Sequence, residues 1–135
     1  MQSDHPGIRP FTCGLDATLR LISGKWKPLI LFYLAHETRR YGELRRCIRD
    51  VSDKVLIQQL KELEADGVVI RTDHREVPPR VDYSLSPFGL SLAEAMRPLC
   101  RWGEENAPAI VDALVKRSGS APALPPAGGA AAQRG

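Results

Sequence analysis

One segment of the 135-residue chain carries polar side chains at helical spacing. If residues 52–66 form a helix, five side chains fall on one face, namely Asp53, Lys54, Ile57, Gln58 and Lys61. The Gln58 amide can donate and accept hydrogen bonds together, which matches the major-groove edge of adenine, and a lysine can reach guanine or a phosphate. Ile57 can contact the methyl group of thymine. The alternative is a solvated helix face that binds nothing.

The residues around this segment predict a helix of that length. Ser52 can cap its N-terminus, and the carboxylate of Asp53 suits the positive end of the helix dipole. Gly67 can end the helix in a left-handed conformation. The other face is apolar at helical spacing, at Leu56, Leu60 and Leu63. Asp53 could also accept a hydrogen bond from cytosine N4, so Ser52 and Asp53 count among the candidate DNA-binding residues.

Positive charge is concentrated beside this segment. Between Thr38 and Lys61 the chain has seven Lys or Arg and three Asp or Glu, an excess of four positive charges against +3 for the whole chain. A basic patch of this kind favours contacts with DNA phosphates, whereas solubility and surface salt bridges are the alternative roles. The candidate phosphate contacts outside the 52–66 helix are Arg39, Arg40, Arg45 and Arg46, Lys25 and Lys27 at a helix N-terminus, and Arg75 and Arg80 on a loop.

Three further helices are predicted before this segment. The first has apolar residues at spacings of four and three, at Leu15, Leu19 and Ile22. Residues 25–36 are apolar on most sides, which is typical of a central, buried helix. Residues 42–48 form a short basic helix, joined to the 52–66 helix by a tight turn at residues 49–51.

Two segments with strand-forming residues follow, at 68–74 and 80–85. They predict a β-hairpin with a long basic tip that contains two prolines. Such a tip would place Arg75 and Arg80 against the flanking backbone or the minor groove of DNA.

A last helical region is predicted from Ser86-Pro87 to about Arg117, where Pro98 and Pro108 are expected to kink or divide it. The folded domain is therefore predicted at residues 12–117. Residues 1–11 are expected to form a flexible N-terminal arm. Residues 118–135 are rich in Ser, Gly, Ala and Pro and are expected to form a disordered tail.

This order of elements predicts a mainly α protein with a small β-hairpin, in the α+β class, and more narrowly a winged helix-turn-helix. In that layout the second helix of the turn motif enters the major groove. A winged helix can instead act as a protein-interaction module. An acidic or apolar face would favour that use, and this face is basic and polar.

Composition and motifs argue against other classes. Charged residues make up 26% and hydrophobic residues 43% of the chain, an ordinary globular mixture. The longest apolar run, residues 28–35, is far shorter than the ~20 residues of a membrane-spanning helix, and the first residues lack the pattern of a signal peptide. We therefore expect a cytoplasmic protein with no membrane partner. We find no nucleophile elbow, Gly-rich phosphate loop or HExxH pattern, so no enzyme is expected.

The three cysteines predict neither a disulfide framework nor a metal site, because their number is odd and their spacing is wide. No metal or cofactor is expected. Cys47 and Cys100 are expected to be buried as small apolar residues. Cys13 lies just before the first predicted helix, where the helix dipole favours the reactive thiolate. Simple packing is the alternative role for Cys13.

Several stretches, in this order and spacing, resemble one known family. They are Gly24-Lys-Trp-Lys27, Arg39-Arg-Tyr-Gly-Glu-Leu-Arg-Arg46, the segment from Ser52 to Glu64, Asp66-Gly67, Val77-Pro-Pro-Arg-Val-Asp-Tyr-Ser-Leu85 and Cys100-Arg-Trp-Gly103. Over about residues 13–105 the chain resembles the HxlR-type family of bacterial winged-helix transcription regulators, which is related to the MarR type.

The resemblance implies a homodimer that binds double-stranded DNA at an inverted-repeat operator, more often as a repressor than as an activator. It implies that the N- and C-terminal helices form the dimer interface, for which the candidates are Leu15, Leu19, Leu92, Met96, Leu99 and Trp102.

The resemblance also implies redox or electrophile sensing at Cys13, which lies where several family members carry a sensing cysteine. The family often has Pro after that cysteine, whereas this chain has Gly14. The effector would then be a small electrophile or an oxidant. A small molecule that binds without covalent reaction is the alternative effector.

Overall fold

The computed structural model describes residues 12–119. The predicted arm at residues 1–11 lies outside this range, as does the predicted tail from residue 120 onward. The described chain divides into two compact units, the first ending at Leu90 and the second beginning at Ser91.

The first unit has four helices and a small sheet. The helices are α1 (Gly14–Leu21), α2 (Trp26–His36), α3 (Tyr41–Cys47) and α4 (Asp53–Ala65). The strands are β1 (Arg39–Arg40), β2 (Val69–Asp73) and β3 (Val81–Leu85). Each predicted helix and each predicted hairpin strand is present, with ends that differ from the prediction by one residue at most positions.

The core of the first unit lies between α2, α3 and α4. Helix α2 is apolar on most sides, as the sequence predicts, and it packs against both α3 and α4. The fully buried side chains are Ile30, Leu31, Leu44, Val51, Leu56, Leu60, Leu63 and Val68. Each side chain of this size contributes about 1.5–3 kcal/mol through its removal from water. This burial fixes one face of α4 and leaves the opposite face in solvent.

Local interactions set both ends of α4. At its N-terminus the Ser52 Oγ accepts a hydrogen bond from the backbone N–H of Val55 (3.2 Å). At its C-terminus Gly67 has φ +77°, a left-handed conformation that favours glycine. The N–H of Gly67 donates to the carbonyl of Glu64 and the N–H of Val68 to that of Leu63, the pair of bonds that defines a Schellman cap. The sequence-based ends of this helix are confirmed.

The sheet has one strand more than the predicted hairpin. Strand β3 lies between β1 and β2, and both pairs are antiparallel. Arg39 and Arg40 of β1 face Tyr83 and Asp82 of β3. The prediction of a two-stranded hairpin is therefore incomplete, because a two-residue strand is too short to show alternating polarity in the sequence.

Ser86 joins the sheet to the start of α5 (Pro87–Glu105). Its Oγ donates to the carbonyl of Gly67 (2.6 Å) and accepts from the backbone N–H of Gly89 (3.0 Å). A Cβ at Gly89 would lie 2.2 Å from the carbonyl oxygen of Val68, so only glycine fits at this approach. These contacts hold the first turn of α5 against the end of α4 and the start of β2.

The second unit continues α5 and adds α6 (Ala107–Ser118). The chain is divided at Asn106, and Pro108 lies in the first turn of α6, where proline is tolerated. Pro98, in contrast, lies inside α5, which continues through it. The helical region is therefore divided before Pro108 and not at Pro98. Within residues 12–119 we find no helix long and apolar enough to cross a membrane.

Candidate nucleic-acid interface

One face of α4 is a row of exposed side chains at helical spacing, which we call the α4 face. It consists of Lys54, Ile57, Gln58 and Lys61. The three leucines on the other side of the helix are buried, with Leu60 exposed to only 1%. The α4 face therefore presents two ammonium groups, one amide and one apolar side chain together, a set suited to DNA base edges and phosphates.

Gln58 is held by a chain of polar contacts that leads into the core. Its Nε2 donates to Glu62 Oε2 (2.9 Å), and the other carboxylate oxygen, Oε1, lies 2.6 Å from the Nζ of Lys27. The hydrogen bond from Gln58 and the ammonium of Lys27 hold the pKa of Glu62 below its usual value. The Lys27 side chain is only 7% exposed.

Lys27 therefore does not belong to the exposed basic surface that the sequence suggested. Its Nζ is directed to Glu62 within the first unit, because a buried ammonium needs a partner of opposite charge. We remove it from the candidate phosphate contacts.

Asp53 links α4 to α3. Its Oδ1 accepts from the Tyr41 Oη (2.5 Å) and from the Arg45 Nε (3.1 Å). The hydrogen bond from Tyr41 and, to a smaller extent, the one from Arg45 lower the pKa of Asp53. Burial and the hydrogen bond to Asp53 raise the pKa of Tyr41 to about 12. The Arg45 Nη1 also donates to the carbonyl of Arg49 (3.0 Å), so Arg45 braces the turn between the two helices.

Arg39, which the sequence predicted to contact phosphate, is also mostly buried. Its side chain is 12% exposed, its Nε donates to the carbonyl of Tyr33 (3.0 Å), and its Nη1 pairs with Glu37 (3.3 Å). The guanidinium lies over the Tyr33 ring, 5.8 Å from its centre. These contacts join β1 to α2, and we remove Arg39 from the candidate phosphate contacts.

Three of the other predicted phosphate contacts are exposed. Arg40 is the N-cap residue of α3, and its backbone N–H donates to Glu43 Oε1 (2.8 Å). Arg46 follows on the same helix and is exposed. Lys25 precedes α2, and its ammonium lies 4.7 Å from the centre of the Trp26 ring. In the described residues no carboxylate lies within ion-pair distance of these three side chains.

The loop between β2 and β3 carries Arg75 and Arg80 in different settings. Arg75 is exposed, and its backbone adopts φ +55° with its N–H donating to Asp73 Oδ1. Arg80 is half-buried and its Nη2 pairs with Asp82 (3.1 Å). His74 Nε2 lies 2.8 Å from the same Asp82 carboxylate oxygen. Arg80 and its neighbour Asp82 therefore stiffen the base of the loop, and Arg75 is the basic side chain that the tip presents.

Two further residues, Arg71 and Glu62, belong to the candidate interface, although the sequence analysis did not select them. Arg71 is exposed on β2, where every residue after Val69 is exposed, and its place in a basic hairpin is the signal that could have indicated it. Glu62 accepts a hydrogen bond from Gln58, but no sequence signal separates it from an ordinary surface glutamate.

Cys13 is the N-cap residue of α1 and is exposed, and its carbonyl accepts from the N–H of Ala17 (3.1 Å). Cys47 and Cys100 are each partly exposed rather than buried, which differs from the expectation for them. All three are free thiols. We find no group of three or more His, Cys, Asp or Glu that could hold a metal ion within the described part of the chain.

Most of the residues predicted for a dimer interface are exposed apolar side chains. On α1, Leu15 is 66% and Leu19 54% exposed, and on α5, Leu99 is 68% and Trp102 56% exposed. Met96 and Leu92, the other two candidates, are half-buried and buried, respectively. Leu92 belongs to the interior of a single chain, and we remove it from the candidate interface.

Comparison with known proteins identifies the family. Residues 21–111 match the model of the HxlR-like helix-turn-helix family. The chain belongs to the HxlR-like helix-turn-helix family. Among its relatives is the uncharacterized HTH-type transcriptional regulator YkvN of Bacillus subtilis (strain 168), which is 44% identical over 96 residues, 71% of this chain and 81% of YkvN. The family prediction is confirmed, and the chain is a transcriptional regulator with a helix-turn-helix domain.

Solved structures of similar chains agree with this family and fold. The redox regulator HypR in its oxidized form has a TM-score of 0.66 and 39% identity, covering 70% of this chain and 97% of HypR. The diamide-treated YodB from B. subtilis has a TM-score of 0.59 and 28% identity, covering 70% of this chain and 94% of YodB. The predicted winged-helix fold is confirmed.

The family match begins at Leu21, the last residue of α1. It includes α2, the sheet, the α4 face and all of α5. The match does not include three candidate residues that precede it, Cys13, Leu15 and Leu19.

Proposed function

We propose that this member of the HxlR-like family is a sequence-specific DNA-binding repressor that acts as a homodimer. Each subunit inserts α4 into the major groove of one half-site of an inverted repeat, and the half-sites lie about one helical turn, ~34 Å, apart. The observation that carries the proposal is the α4 face, which is exposed, polar and basic at helical spacing on a helix fixed by three buried leucines.

Base recognition is assigned to the α4 face. Gln58 pairs with adenine, Lys54 and Lys61 reach guanine or a phosphate, and Ile57 contacts a thymine methyl group. The hydroxyl of Ser52 caps α4 and can still donate to a phosphate at the helix N-terminus. Asp53 is held by Tyr41 and Arg45, so it serves the orientation of α4.

Non-specific affinity is assigned to the exposed basic side chains around α4. They are Lys25, Arg40, Arg46, Arg71 and Arg75. Their contacts with phosphates release bound counterions, so affinity falls as the salt concentration rises. Arg45 and Arg80 retain mainly structural roles because each is paired with an aspartate.

The homodimer is supported by the exposed apolar side chains of α1 and α5. Covering exposed leucine and tryptophan side chains with a second copy of the chain removes apolar surface from water and so stabilises the dimer. We assign Leu15 and Leu19 of α1 and Met96, Leu99 and Trp102 of α5 to this interface. Repression is the commoner outcome in the family that the sequence resembles.

A redox response is assigned to Cys13. This thiol is exposed at the N-cap position of α1, where small oxidants and electrophiles can reach it. Among the similar structures, HypR is a redox regulator and YodB has been solved after diamide treatment. We propose that oxidants or small electrophiles modify Cys13 and weaken DNA binding.

Anisotropy titration against the DNA upstream of the chain's own gene tests the proposal. We expect tight binding of two subunits per operator and a steep fall of log K with log salt. If no specific site is found there or in a genome-wide selection, the proposal of sequence-specific DNA binding is wrong, and a protein-interaction module explains the α4 face better.

A further inference from the structure

We infer that Glu62, anchored by the buried Lys27, is a positioning residue that sets the orientation of the Gln58 amide and thereby the base that Gln58 selects. The inference rests on the proposed function, in which Gln58 reads a base. It assigns a specificity role to two residues that touch no DNA.

The first step is the anchoring of Glu62. The Lys27 ammonium is nearly enclosed, and in the described residues Glu62 is the carboxylate within ion-pair distance, at 2.6 Å. A buried charge without a partner is costly, so Oε1 of Glu62 stays with Lys27. This fixes a carboxylate that lies on a half-exposed helix position and would otherwise move in solvent.

The second step is the orientation of Gln58. The other oxygen of Glu62 accepts from Gln58 Nε2 at 2.9 Å. An ionised carboxylate has only acceptors, so the amide must turn its NH₂ group towards Glu62. The low pKa of Glu62 keeps the carboxylate ionised at neutral pH. The amide oxygen and the remaining N–H of Gln58 therefore have a defined direction relative to α4.

The third step is the consequence for base choice. Adenine offers an acceptor at N7 and a donor at N6, which match one N–H and one carbonyl of an oriented amide. Guanine offers acceptors at N7 and O6, which match two N–H groups. Since Glu62 occupies one N–H of Gln58, the amide retains a single N–H and its oxygen. The geometry thus favours adenine and disfavours guanine.

The competing explanation is that the ion pair only stabilises the packing of α2 against α4. A structural role of this kind lowers the stability and weakens binding to all operators by the same factor. A positioning role changes the ratio of affinities for two operators that differ at one base pair.

The experiment measures that ratio with the full chain. The variant Lys27→Met with Glu62→Leu removes both charges together and so leaves no buried ammonium unpaired. Gln58→Ala removes the reading amide, and a triple variant combines all three changes. Glu64→Leu, on an exposed position of the same helix, is the matched control for loss of one carboxylate. Circular dichroism checks that each variant folds.

We expect the double variant to lose adenine-over-guanine discrimination at the position read by Gln58 by about tenfold, close to the loss in Gln58→Ala. The triple variant should lose no more than Gln58→Ala, and Glu64→Leu should keep the discrimination. Lys27→Met alone should give an intermediate value, because the carboxylate remains but is no longer anchored.

The inference is overturned if the double variant binds all operators more weakly by the same factor, or if the triple variant discriminates less than Gln58→Ala. An unchanged ratio in the double variant would also overturn it. Failure of the proposed function is distinguishable, because then the wild-type protein itself shows no base preference at any position.

Discussion

The Tyr41 hydroxyl donates to Asp53 Oδ1 across 2.5 Å and joins the first residue of α3 to the first residue of α4. Arg45 approaches the same oxygen at 3.1 Å and reaches the connecting turn through the carbonyl of Arg49. The angle between the two helices of the turn motif is therefore held by polar contacts at the end of α4 that faces the groove in the proposed complex.

This contact predicts a specific pH dependence. The pKa of Tyr41 is raised to about 12, above its ordinary value of 10, so its contribution to stability is complete below pH ~10 and is lost as the pH rises towards 12. We expect Tyr41→Phe to remove this part of the alkaline loss of stability. Urea unfolding between pH 8 and 12 measures it, with Tyr83→Phe as the control. An equal alkaline loss in Tyr41→Phe and wild type would contradict the assignment.

Arg46 provides a test of the basic surface. It is exposed on α3, and Arg46→Gln should weaken binding to all DNA sequences alike and reduce the slope of log K against log salt by about 0.9 for one lost phosphate contact. Arg97→Gln, an exposed change on α5 where Arg97 pairs with Glu94, should leave the slope unchanged. A sequence-selective loss in Arg46→Gln would mean that Arg46 contacts a base.

The two faces of α4 should separate stability from recognition. Leu60 is fully buried, so Leu60→Ala should lower the free energy of unfolding by about 2–5 kcal/mol. Ile57 is 42% exposed, so Ile57→Ala should change stability little and weaken binding to operators with thymine at the contacted position. Chemical denaturation and anisotropy titration of both variants measure the two effects. A large loss of stability in Ile57→Ala would place that side chain in the core.

Cys13 should account for a response to diamide. In the proposed response, the Cys13 thiol and a second cysteine thiol lose two protons and two electrons to the N=N bond of diamide and form one S–S bond. We expect wild-type protein to lose DNA affinity with diamide and regain it with a reductant, whereas Cys13→Ser should not respond. Cys47→Ser and Cys100→Ser show whether either of these cysteines supplies the second thiol. A full diamide response in Cys13→Ser would exclude this cysteine as the sensor.

Most of the fold was predictable because it depends on signals that are local in sequence. The spacing of Leu56, Leu60 and Leu63, the cap at Ser52 and the left-handed Gly67 define α4 within sixteen residues. The third strand was not predictable in this way. Arg39 and Arg40 pair with residues more than forty positions later, and a strand of two residues has no periodicity of its own.

The same distinction between local and long-range interactions applies to the candidate site. Sequence by itself determined the α4 face, because helical spacing sorts exposed from buried positions once the leucines are placed. It could not determine where a long charged side chain ends. Only the tertiary structure directed Lys27 to Glu62 and Arg39 to the carbonyl of Tyr33, since the partner of a flexible cation depends on which elements pack beside it. A count of charged residues therefore cannot distinguish a side chain free to contact phosphate from one held in an internal ion pair, because packing decides which partner the side chain reaches.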